Sequence, residues 1–123
     1  MTAPNIVSVA TITGKTGGTS LSTTNVTQIL SNAPSSSQLI KINVLNVANT
    51  TGNACPVTVS YYSLAGVGGT QYPIVSSVSV PANSTLTVID KGTNYYLEEN
   101  QSIGAQASQA SALVVTYSYE IIS

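Results

Sequence analysis

Seven side chains carry a full charge: Lys15, Lys41, Lys91, Asp90, Glu98, Glu99 and Glu120. There is no histidine and no arginine. A general acid or base needs a titratable group set into a cleft. Glu98 and Glu99 form the one adjacent acidic pair. Neighbouring residues on a strand point to opposite faces, so this pair reads as a solvated turn. The 18 serines lack a histidine to activate any of them, and no Gly-x-Ser-x-Gly elbow occurs. Asp90, Glu98 and Glu99 could offer oxygens to calcium, but no Asp-x-Asp spacing supports such a site. Gly14-Lys15-Thr16 resembles the end of a phosphate-binding loop, yet the upstream glycine is missing and no helix is expected to follow. The residues therefore predict a protein that is not an enzyme, with no metal and no cofactor.

Cys55 stands alone, which excludes an intrachain disulfide and leaves a small semi-buried apolar residue as its expected role. Asn25, Asn49, Asn83 and Asn100 each begin an Asn-x-Ser/Thr triplet. In a chain this rich in serine and threonine they read as unmodified turn or strand residues. The seven tyrosines are more informative. In Tyr61-Tyr62 and Tyr95-Tyr96 one ring of each pair faces inward and the other outward. An outward tyrosine brings a flat apolar face and a polar tip to a partner, so Tyr62, Tyr72, Tyr95 and Tyr96 are the candidate interface residues. Stacked tyrosines also suit a sugar ring, which keeps a glycan-binding reading open.

These residues are set on a chain of 123 residues, one domain in length. Charged residues are 6% of it, against about 25% in an ordinary soluble domain. Serine and threonine replace them, and such a surface is cheaper to desolvate than a charged one. With a net charge of −1, little repulsion keeps copies apart. Three scattered lysines make no phosphate-binding patch, so nucleic acid is not expected as a partner. No apolar run is long enough to span a membrane as a helix. The first residues lack the basic and apolar regions of a secretory signal, so manufacture in the cytoplasm is expected.

No window shows a helical period with good helix formers; short alternating segments divided by turn residues predict strands. Residues 6–12 read as a first strand or extended arm, broken by Gly14-Lys15-Thr16-Gly17-Gly18. Residues 22–30 read as the next strand. The clearest central strand spans residues 39–47, where Ile40, Ile42 and Val44 alternate with polar neighbours before the phase slips to Leu45 and Val47. One extra residue there is what a β-bulge produces. Residues 57–64, 70–80, 84–90, 95–97, 102–107 and 112–122 complete the set, with Pro73 marking an edge or a strand start. The expectation is an all-β antiparallel sandwich, jelly-roll-like, of about eight strands. Residues 1–22 form a less regular arm or edge strand, and residues 23–123 a single sandwich domain.

The second half also carries a resemblance. Val80-Pro81-Ala82-Asn83-Ser84-Thr85-Leu86-Thr87-Val88-Ile89-Asp90-Lys91 leads to Tyr96-Leu97-Glu98-Glu99, then Ser102-Ile103, Ala107-Ser108 and the closing Val114-Val115-Thr116-Tyr117-Ser118-Tyr119-Glu120. This pattern resembles the small β-sandwich virion proteins of tailed bacteriophages, especially phages of marine bacteria and cyanobacteria. It covers residues 38–122 and consists of turn and strand residues. The resemblance implies a virion structural protein, foremost a capsid decoration (cement) protein at capsomer junctions, or else a neck, tail or fibre accessory protein. It implies the major capsid protein or other virion proteins as partners, a homo-oligomer with a trimer favoured, and no catalytic residues.

Overall fold

The computed structural model describes residues 11–123; residues 6–10 of the expected first strand lie outside them. Nine strands are present among the described residues: β1 (Ile12–Leu21), β2 (Thr27–Asn32), β3 (Leu39–Asn49), β4 (Cys55–Leu64), β5 (Gly68–Val80), β6 (Thr85–Ile89), β7 (Tyr95–Leu97), β8 (Gln101–Ala107) and β9 (Leu113–Ile122). One sheet has the order β1-β9-β3-β6, with β7 also pairing β3, and the other the order β2-β8-β4-β5. All pairings are antiparallel. β6 and β7 lie along the same side of β3, separated by a single 3₁₀ turn at Lys91–Thr93. Counted as one interrupted strand, they leave four strands in each sheet, the double-sheet arrangement of a jelly roll.

The turn that splits them is built by Asp90, whose Oδ1 accepts from the backbone N–H of Gly92 at 2.9 Å and of Thr93 at 3.1 Å. Such local bonding is why aspartate interrupts a strand rather than continuing it. The bulge expected in the central strand is present: the register of β3 against β9 shifts between Ile42 and Val44. That shift returns Leu45 and Val47 to the interior, where both are fully buried with Ile42. Along β4, Val57 and Val59 enter the core; along β8, Ile103, Ala105 and Ala107 do. On β9 the inward set includes Leu113, Val115, Tyr117, Tyr119 and Ile121. Pro73 lies on β5, which is a sheet edge, the place in a sheet where proline is tolerated.

One expectation is corrected. The glycine run does not break the first strand: residues 12–21 pair with β9 without interruption, Ile12 opposite Ile122 through Leu21 opposite Leu113. The reason lies across the strand. A Cβ on Gly17 would fall 2.7 Å from the ring of Tyr117, so the tyrosine covers the space that glycine vacates. Neither Gly14, Gly17 nor Gly18 takes positive φ, so here glycine makes room rather than a turn. The strand expected over residues 22–30 correspondingly begins late, at Thr27, after a bend at 23–25.

Candidate functional site

Each carboxylate has a local structural engagement. Asp90 caps the 3₁₀ turn. Glu98 Oε2 lies 3.5 Å from Gln101 Nε2, and Glu99 Oε2 accepts from the Ser37 N–H at 3.2 Å. Glu120 Oε1 accepts from Asn43 Nδ2 at 3.0 Å. Glu98 and Glu99 thus turn to different partners, and the buried Glu99 Oε1 has no hydrogen-bond partner among the described residues. Among those residues, no three His, Cys, Asp or Glu side chains gather as metal ligands would. Cys55 is buried, its Sγ 3.5 Å from Ser108 Oγ.

The four candidate tyrosines do not share one surface. Tyr62 is buried, because the β4–β5 hairpin tip folds over the outer face of its sheet. The N–H of Val67 donates to Ser102 Oγ at 2.8 Å, that of Gly66 to Ser31 Oγ at 3.0 Å, and that of Ala65 to Asn100 Oδ1 at 3.1 Å. Burial pushes the Tyr62 phenol above its ordinary value, and a hydrogen bond with Ser60 offsets part of that rise. Tyr72 is 52% exposed and stacks on Tyr61, with ring centres 5.5 Å apart. Tyr61 in turn accepts from Gln101 Nε2 at 3.0 Å. Tyr95 and Tyr96 are exposed at β7, opposite Ile42 and Lys41. Their alternation puts them on opposite faces of that short strand.

Residues 1–22 were expected as an arm or edge strand; what sequence reasoning missed is how regular the β1 edge is, and no described strand covers it. Thr11 and Ser123 exchange both backbone bonds, at 2.8 and 2.9 Å. Antiparallel pairing alternates from there, so Thr13, Lys15, Gly17, Thr19 and Leu21 spend their backbone groups on β9. Ile12, Gly14, Thr16, Gly18 and Ser20 turn theirs to the open side. Ser20 O is already taken by the Ser22 N–H at 3.1 Å. The rest present a row of donors and acceptors from Ile12 to Gly18, about 20 Å long at the usual strand rise. No described strand pairs with it. Such a row is a template for another strand. Its sequence signal was present but masked, because three glycines ordinarily read as a turn.

These observations define an all-β module of the jelly-roll class. No family model matches the chain, and no curated protein matches it. Among solved structures it is similar in fold to a Bacillus endospore appendage, of a family described as disulfide-linked pili. The two share 18% identity over 91% of this chain and 87% of that one, with a TM-score of 0.50.

Proposed function

We propose that this chain is a non-enzymatic structural subunit of a repetitive particle. Within that class we propose the virion of a tailed phage, with the chain decorating the head where major capsid proteins meet. The observation that carries the subunit reading is the regular β1 edge, aimed outward on a surface with almost no charge to repel a partner. Strand addition there supplies main-chain hydrogen bonds repeated identically at each copy. The phage assignment rests on the residue pattern of the second half. Three copies would suit a threefold capsomer junction.

The fold likeness to an endospore appendage favours a second reading, a filament subunit. A disulfide-linked filament would need at least two cross-links per subunit. With a single cysteine these 123 residues supply one at most, and Cys55 is fully buried. A filament of this chain would be held by non-covalent contacts.

The test is co-sedimentation of the purified protein with isolated expanded capsids, with detached tails, and alone, using the native sequence and Thr16→Pro. Thr16 turns its N–H to the open side, so proline there removes an outward donor and leaves the β9 ladder intact. Saturable binding to capsids that Thr16→Pro abolishes, with melting unchanged, is the expected result. Binding to tails only would move the chain to the neck or tail. Pelleting alone as fibres would favour the filament. A monomer that binds neither particle would overturn the subunit reading.

A further inference from the structure

We propose that the outer face of the β2-β8-β4-β5 sheet carries a binding cleft for a neutral, polyhydroxylated ligand, the chemistry of an uncharged glycan. A cleft of about 480 Å³ opens there, within the range of small-molecule sites, about 300–1,000 Å³. Its polar lining is Thr24, Asn25, Thr58, Ser77, Gln106 and Ser108. Thr58 and Gln106 are direct cross-strand partners on the outer face. Ser77 flanks Thr58 on one side, and Thr24 flanks Gln106 on the other. Across this row the strand spacing of about 4.8 Å gives room for two sugar rings.

The cleft is held open by a strained piece of backbone. Between the pairs Val57–Val78 and Val59–Val75, β5 has two residues opposite Thr58 alone. Ser77 sits in that bulge at φ 50°, a left-handed conformation costing a non-glycine residue about 1–2 kcal/mol. Among the described residues it is the one positive-φ residue other than glycine that lies inside a strand. Its N–H is bonded to Thr58 Oγ1 at 2.9 Å, which pins β5 away from the usual register. On the far wall Gln106 Nε2 donates to Thr24 O at 3.0 Å, fixing the amide and leaving Gln106 Oε1 to accept from a ligand. The side chains of Thr24, Asn25 and Ser77 have no partner among the described residues.

The lining selects the ligand by exclusion. No charged side chain lines the cleft, so an ion would lose its hydration without a counter-charge. An apolar ligand would strand the hydroxyl and amide groups without water. A ligand bearing many neutral donors and acceptors satisfies both sides. Tyr72 lies outside this lining, so the site is distinct from the exposed tyrosines.

The test is titration of the isotopically labelled full chain with maltotriose, cellotriose, mannotriose and tri-N-acetylchitotriose, followed by amide NMR. At least one sugar should give saturable shifts centred on Thr58, Ser77, Gln106 and Ser108. Gln106→Ala on β8 and Asn25→Ala in the bend before β2, both exposed, should each weaken that binding tenfold or more with melting unchanged. Absence of saturable shifts with every sugar would overturn the proposal. So would shifts centred on Tyr72, or affinity unchanged in both variants. Thr16→Pro lies on the other sheet and should leave these shifts intact, so the cleft and the β1 edge fail independently.

Discussion

Gly104 offers the sharpest check on how the β4–β5 hairpin tip closes over the outer sheet face. A Cβ added there would lie 2.8 Å from Val67 Cγ1, 3.1 Å from Val26 Cγ1 and 3.2 Å from the carbonyl oxygen of Thr27. Carbon atoms prefer about 3.5–4.0 Å, so the methyl group is too close on three sides. Val67 cannot retreat freely, because its N–H is bonded to Ser102 Oγ at 2.8 Å. Overpacking of this kind costs about 1–3 kcal/mol. Removing a glycine returns about 0.4–1 kcal/mol through the unfolded chain. Gly104→Ala should therefore destabilise by a net of about 1–2 kcal/mol, lowering Tm by roughly 4–10 °C for a domain of this size. Gly14→Ala is the control: its Cβ would meet nothing within 4 Å, so only the stabilising part, about 0.4–1 kcal/mol, remains. Thermal melting by circular dichroism reads both. In the background of Val67→Ala the Gly104→Ala penalty should shrink by about 1 kcal/mol or more, since the shared contact is gone. If Gly104→Ala is as benign as Gly14→Ala, or the two changes are additive, the hairpin tip does not sit over β8 and the account of Tyr62 burial fails with it.

Asn49 is buried, with Nδ2 donating to Asn53 O at 2.7 Å and Val80 O at 3.0 Å while Oδ1 accepts from the Thr51 N–H at 2.9 Å. Asn49→Ala leaves those groups unpaired and should cost about 1–3 kcal/mol, read as a lower urea midpoint at unchanged slope. The folded-state pKa of Tyr62 is raised by burial, so the stability it contributes is complete below its unfolded value of about 10 and is lost as pH rises through the folded value. Urea unfolding on either side of that value should show a smaller alkaline loss in Tyr62→Phe; an identical loss would refute the assignment. Cys55 is fully buried, so a thiol reagent should label it only after denaturant is added, and rapid labelling of the native protein would contradict the packing.

The strands that face water on one side were legible because alternation survives when one face is buried and the other wet. The phase slip in β3 was readable for the same reason: a single inserted residue moves every later side chain to the other face. The glycine run of β1 was not readable, because what permits a strand there is the Tyr117 ring 98 residues from Thr19, whose hydroxyl lies 3.3 Å from the tyrosine hydroxyl. The burial of Tyr62 was hidden likewise. Alternation places it outward, and only the folding back of the hairpin tip covers it. The cleft was invisible in sequence, since its side chains belong to four separate stretches of ordinary serine, threonine, asparagine and glutamine.

The edges of the two sheets are treated unequally, and that inequality argues more about use than any single residue does. On β5 the edge carries Pro73, three register shifts and the left-handed Ser77. β6 and β7 are short, and Asp90 interrupts the edge between them. β2 has six residues and a register shift between Gln28 and Leu30. These are the devices by which proteins keep sheet edges from pairing with one another. Among the described residues β1 shows ten consecutive pairs with β9, no proline and no bulge, and Lys15 is its single charge. A monomer under selection only to stay monomeric would gain nothing by blunting three edges and leaving the longest regular one unpaired by any described strand. A subunit that must add a neighbour in one register and refuse every other would need that pattern, because the same bulges that exclude wrong pairings would destroy the right one.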